Sequence, residues 1–259
     1  MTRIPETVPP LPPQVILGKD LECMAAFGWL KAGWRDFKTN PLTSLVYGIV
    51  VFIISLFVLA SLYSLSLDYI LFPALAGFMV VGPALAIGLY EKSRQIAEGK
   101  TARLFTMIFV RPRSGAQILF IGVMLCLLML LWMRAAVLLY ALFFGLLPFP
   151  GLDHILPVLM TPEGIFLLIV GSLVGGLFAS FSFAISVFAV PMLLNEPTDA
   201  LTAMGVSMAA VWNNLPVMLT WGIIVLASFI VCLMTGLLGL IIIFPILGHA
   251  TWHAYKALR

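Results

Sequence analysis

Residues 216–255 read PVMLTWGIIVLASFIVCLMTGLLGLIIIFPILGHATWHAY, forty residues without one Asp, Glu, Lys or Arg. As a single helix this stretch would run about 60 Å, twice the roughly 30 Å of a bilayer's hydrocarbon core. A hairpin of two membrane helices, 216–235 and 237–255, with its break at Gly236 or Gly239, satisfies both numbers. The rest of the chain has the same character. It is 62% hydrophobic and 10% charged, with a mean hydropathy of +1.13, whereas soluble domains carry about 25% charge. The fold class that follows is all-α, a polytopic transmembrane helical bundle.

Upstream of this hairpin, further apolar segments are predicted to span at 42–62, 69–90, 115–133 and 165–190, making about six spans. Amphipathic juxtamembrane helices are predicted at 20–38, 101–110 and 197–212. Ala135–Leu147 is apolar and helix-like; its interfacial, re-entrant or continuous placement stays open. Residues 1–19 hold five prolines and no apolar core, which reads as a proline-rich, disordered cytoplasmic tail and neither a signal peptide nor a span. Residues 20–259 then form one transmembrane domain. In the 20–38 helix Cys23, Phe27, Leu30, Trp34 and Phe37 recur at steps of three and four, while Lys31, Arg35 and Lys38 take another face, a pattern that suits a membrane interface.

Charge placement sets the expected topology. Thirteen of the fourteen Lys and Arg residues fall in the N-terminal region, the 91–113 loop and the C-terminus; Arg134 is the exception. Six spans and the positive-inside rule put both termini in the cytoplasm. The net charge of +3 is no nucleic-acid footprint. Cys23, Cys126 and Cys232 have no metal or redox spacing.

A threefold internal repeat is suggested, each unit being a surface helix, a span and a second span with a proline near its end. Asn40–Ile49 aligns with Asn214–Ile223, and Pro83–Lys92 corresponds to Pro245–His253. The middle unit, 104–191, fits in outline only.

Candidate chemistry centres on Phe244–His253. His249 and His253 share a helix face at i,i+4, and Glu91, at the corresponding end of the second span, is a candidate third metal ligand. Against this stands an interfacial role for His249, Trp252 and His253, which the residue pattern favours. No cofactor is expected. Arg134 either snorkels to the outer headgroups or pairs with Asp153 or Glu163. Gly171, Gly175 and Ala179, with Ser172, Gly176 and Ser180 one residue on, form small-xxx-small rows that let helices approach closely. With Trp29, Trp34, Arg35, Phe37 and Trp252 they are the candidate interaction residues. The expected partners are the lipid bilayer and other integral membrane proteins or a second copy; none is a nucleic acid.

Three motifs, Gly33-Trp34-Arg35-Asp36-Phe37 with Asn40-Pro41, Gly82-Pro83 through Gly88-Leu89-Tyr90-Glu91, and Pro245 with Leu247 through His253, resemble a bacterial family of uncharacterised integral membrane proteins. Some members carry a cytochrome c oxidase subunit label. That resemblance implies an accessory or assembly role in a membrane complex, at most a respiratory one. Oxidase metal centres need histidines on several helices, and this chain has only three histidines in all. A small permease or channel, using Ser172, Ser180, Ser182 and Ser186, and a metal-binding enzyme built on His249, His253 and Glu91 are the alternatives. An enzyme is the less favoured class.

Overall fold

The structure is a computed structural model and describes residues 21–145, 147, 149–151 and 154–259. The predicted tail, the Asp20 cap and Asp153 lie outside the described residues. Twelve α-helices are described: α1 (Ala25–Lys38), α2 (Pro41–Ser64), α3 (Leu71–Leu85), α4 (Ile87–Ala97), α5 (Leu104–Ile108), α6 (Gly115–Phe144), α7 (Ile155–Leu159), α8 (Pro162–Ser186), α9 (Ala189–Asn195), α10 (Ala200–Asn213), α11 (Leu215–Met234) and α12 (Ile243–Leu258). No strand occurs among the described residues. Five segments are long and apolar enough to cross a bilayer: α2, α3 with α4, α6, α8 with α9, and α11.

Local chemistry explains the starts and breaks. Asn40 takes a left-handed conformation and Pro41 follows at the first helical position, where a missing N–H leaves nothing unsatisfied. Pro83 lies inside α3, and the helix steps at Ala86 into α4. Thr161 caps α8 by accepting from the Gly164 N–H at 3.1 Å, with Pro162 next and Glu163 in the first turn.

The element order runs three times as a short helix, an unbroken span and an interrupted helix: α1, α2, α3–α4; then α5, α6, α8–α9, with α7 inserted; then α10, α11 and a 3-10 turn leading into α12. The last pieces of the interrupted helices, α4, α9 and α12, touch one another. The polar loops therefore meet at one end of the bundle.

Several expectations need correction. The third span does not stop at 133, because α6 continues unbroken for 30 residues to Phe144, about 45 Å, and of the open placements for Ala135–Leu147 the continuous one holds as far as Phe144. Nothing in the sequence around Arg134 interrupts it, so a cation alone does not end a helix. The surface helix expected at 101–110 shrinks to the five residues of α5. The segment 237–255 is not one unbroken helix. Gly236 and Leu237 both adopt positive φ, a 3-10 turn follows at Leu238–Ile241, and α12 has only 16 residues.

The apolar face of α1 is also rotated from the expected one. Phe27 and Trp34 are exposed, whereas Ala26, Trp29, Gly33, Asp36 and Phe37 are buried. The reason is a protein partner in place of a lipid surface, since α1 packs along α12. Gly33 permits this approach. A Cβ there would lie 2.6 Å from the Ala250 backbone N and 2.7 Å from the Ile246 carbonyl O. Replacing Gly33 by Ala is therefore expected to lower the stability by about 1–3 kcal/mol, the usual cost of overpacking. Gly28→Ala on the same helix, where an added Cβ meets nothing within 4 Å, is expected to be neutral or stabilising. Thermal unfolding of both variants in detergent checks the pair.

Candidate functional site

At the end of the bundle where α1, α2, α4 and α12 converge, six polar side chains form a connected chain. His249 is fully buried. Its Nε2 lies 2.9 Å from Ser44 Oγ, and its Nδ1 lies 2.8 Å from Ser93 Oγ. The equally buried Lys92 donates from Nζ to Ser44 Oγ at 2.7 Å and to the Asn40 carbonyl at 2.9 Å. At the other end, His253 Nε2 donates to Asp36 Oδ2 at 2.8 Å. Only His253 keeps notable exposure, 24% of its side chain.

The donor inventory gives this chain a direction. An ammonium only donates and a carboxylate only accepts. Lys92 fills one lone pair of Ser44, which leaves the Ser44 hydroxyl proton to point at His249 Nε2. The imidazole is then neutral with its proton on Nδ1, which donates to Ser93. Asp36 terminates the other end. Burial pushes the Asp36 carboxyl pKa up, but hydrogen bonds from His253 and Ser93 and the charge of the His253 imidazole outweigh it, leaving it below the ordinary 3.8. A carboxylate so held adds stability above its unfolded pKa, and that stability is lost as the pH falls below about 4.

Two flanking clusters complete the end. Glu91 is buried and pairs with Arg94 Nη2 at 2.7 Å, and Arg94 Nη1 donates to the Leu194 carbonyl on α9 at 3.0 Å. Glu196, just after α9, accepts from Arg259 through both carboxylate oxygens, at 2.9 and 2.6 Å, and from the Tyr255 hydroxyl at 2.6 Å. The Arg259 hydrogen bonds, opposed by partial burial and aided by Tyr255, hold its carboxyl pKa below 4.5.

The three motifs behind the sequence resemblance meet here: Asp36 and Asn40 from the first, Glu91 at the end of the second, and His249 with His253 from the third. The proposed metal trio is engaged elsewhere. Glu91 is occupied by Arg94 and by Gln95 Nε2 at 2.6 Å, and both ring nitrogens of His249 have serine partners. Among the described residues no group of three or more His, Cys, Asp or Glu is arranged to hold a metal ion.

The remaining candidates are scattered. Trp29 is buried edge-on against Trp221, 6.0 Å between ring centroids, and Trp252 is buried beside Tyr255. Trp34 stacks on Phe37 at 5.5 Å with Lys38 over its ring, and Arg35 is exposed. Arg134 is exposed and forms no ion pair among the described residues; its suggested partner Glu163 is not in contact with it. Gly175 admits Trp132, whose ring would lie 2.8 Å from an added Cβ and whose Nε1 donates to the Pro73 carbonyl at 2.9 Å. Gly171 faces open space, and Ala179 lines a cavity.

Sequence reasoning missed Ser44, Lys92, Ser93 and the role of Asp36. Lys92 was hidden in a run of basic residues that reads as a solvated loop. Its place next to Glu91, at the repeat position matching His253, was the available signal.

The fold and this end together define a polytopic helical membrane protein. Residues 71–195 match the family model DUF2189, described as a predicted integral membrane protein, and the resemblance to a family of uncharacterised integral membrane proteins is thereby shown. No curated protein and no solved structure matches the chain. The matched stretch takes in Glu91, Lys92 and Ser93 but does not reach Asp36, Ser44, His249 or His253.

Breaking the polar chain should cost more than an exposed substitution. Asp36→Asn is expected to lose about 1.5–3 kcal/mol, the worth of hydrogen bonds to a charged group. His249→Ala is expected to lose at least as much, because Ser44 and Ser93 are left buried without a partner. Lys31→Ala on the exposed face of α1 should change stability by less than about 0.5 kcal/mol. Thermal unfolding of detergent-solubilised protein, compared at pH 7, checks all three.

Proposed function

We propose that the protein is a non-catalytic component of a larger membrane assembly. We read its cation-rich end as facing the cytoplasm of a bacterial inner membrane, with both termini on that side. The observation that carries the assembly role is on α8. Its two small-residue rows face different ways. Gly175 is taken up by Trp132 within the chain, whereas Ser172, Gly176 and Ser180 are exposed, and a Cβ at Gly176 would meet nothing within 4 Å. A small-xxx-small row left open on an outer helix face fits close approach by another membrane helix. The topology is supported by the meeting of α4, α9 and α12 at one end, since Lys92, Arg94, Lys256 and Arg259 lie on or beside those helices, in keeping with the positive-inside rule.

The serines offered for a permease support it less. Ser182 and Ser186 are buried and donate to the Val80 and Ser182 carbonyls at 2.9 and 2.6 Å, and Ser172 and Ser180 point outward. The oxidase label carried by some members of the resembling family makes a respiratory complex the first assembly to test.

Gentle solubilisation of native membranes is expected to yield the protein in a defined complex. Gly176→Ile should release it as a monomer without lowering its melting temperature, whereas Leu173→Ile, on the same exposed surface, should not. A wild-type protein that migrates alone in mild detergent would contradict the assembly role.

A further inference from the structure

We propose that the cavity between α3, α8, α11 and α12, open on one side, takes up the head of a single fatty acyl chain, its carbonyl accepting a hydrogen bond from Trp221 Nε1. The inference is independent of the assembly role. The cavity measures about 110 Å³, of the order of an engineered apolar cavity of about 150 Å³ that stays dry and takes up benzene. That space takes a benzene-sized part of the chain, and the rest of the chain runs out through the open side of the cavity.

The lining is graded along its length. At one end, Phe78 stacks with Phe229 at 6.2 Å and meets Phe244 edge-on at 5.8 Å. These three rings offer hydrocarbon contact alone. Towards the other end lie Tyr90 and Thr251, which contact each other, and Trp221, two turns and about 12 Å along α11 from Phe229. Trp221 packs on Trp29 of α1, the helix that carries Asp36, so it sits towards the polar end of the bundle.

Trp221 supplies the second observation. It is fully buried, and among the described residues its Nε1 has no hydrogen-bond partner. Buried donors are rarely left so, and each orphan calls for a missing partner. The Thr251 hydroxyl proton is already given to the Leu247 carbonyl at 2.8 Å. An indole N–H only donates, so the ligand must bring an acceptor. A linear apolar chain with one oxygen at its head has this chemistry, and the surrounding bilayer contains it as ester-linked chains and as free fatty acids.

The test uses the full chain in detergent with two photoactivatable probes, a palmitic acid carrying a diazirine in its chain and a phosphatidylcholine carrying the same acyl group. The expected result is saturable labelling of peptides around Phe78, Phe229 and Phe244, competed by unlabelled palmitate. Labelling by the acid alone identifies a free fatty acid as the occupant, and labelling by the phospholipid identifies a bilayer lipid chain. Trp221→Phe should keep the cavity's shape and weaken labelling by about three- to tenfold, the range of one hydrogen bond. Ala179→Trp should abolish it by filling the space. Thermal unfolding confirms that each variant is folded, and Trp221→Phe carries the test alone if Ala179→Trp is not. Labelling that does not saturate, that falls only on lipid-facing positions, or that Trp221→Phe leaves unchanged would overturn the proposal.

Discussion

A hydrogen bond to an imidazole buried between four helices is the constraint on which the rest of this structure depends. In an apolar setting an unpaired polar group costs from one to several kcal/mol, so His249 can be placed on α12 only if its two nitrogens are met from elsewhere. Ser44 on α2 and Ser93 on α4 meet them. Each serine then has one further valence to satisfy, and Lys92 and Asp36 supply the charged termini. One residue type thus fixes the mutual positions of α1, α2, α4 and α12. The geometry is over-determined, because every group has only one role left to it.

That constraint explains why α12 differs from the other apolar segments. A span that faces lipid needs about twenty apolar residues and little else. Only 16 residues make up α12, and it buries a histidine, a threonine and three aromatics. Its surroundings are protein: α1 on one side, through Gly33, and α4 and α2 on others. The Glu196–Arg259 pair, with Tyr255, ties its far end to α9. The interrupted helices α3–α4 and α8–α9 reach the same place from the other two units. Beyond their breaks, α4 and α9 contact each other and α12.

The membrane class was legible from composition, and the spans from uninterrupted apolar runs, because both depend on transfer energy summed over many residues. Helix starts and breaks were legible too, through Pro41 and Pro83. What escaped was the side-chain detail that only packing decides. The two-faced character of α1 is real, but Phe27 and Trp34 lie on its outer face and Trp29 and Gly33 on its inner one. A sequence cannot tell which neighbour claims which side. Arg134 looked like a helix end and proved to lie within one. His249 and His253 stand out as a pair through their i,i+4 spacing. Their partners are a serine pair and a carboxylate on other helices, and nothing local in 244–253 points to these. Asp36 was quoted within a motif and Lys92 within a charge run, each with a bland explanation ready to hand.

The direction of the polar chain is the central claim, and it turns on one proton. Nitrogen-15 NMR of protein labelled in its histidines reads the tautomer of each imidazole directly. The account predicts that His249 is neutral, protonated on Nδ1 and bare on Nε2. Replacing Lys92 by Met should remove that bias. A signal from His249 protonated on Nε2, or an average of the two tautomers in the unaltered protein, would contradict it.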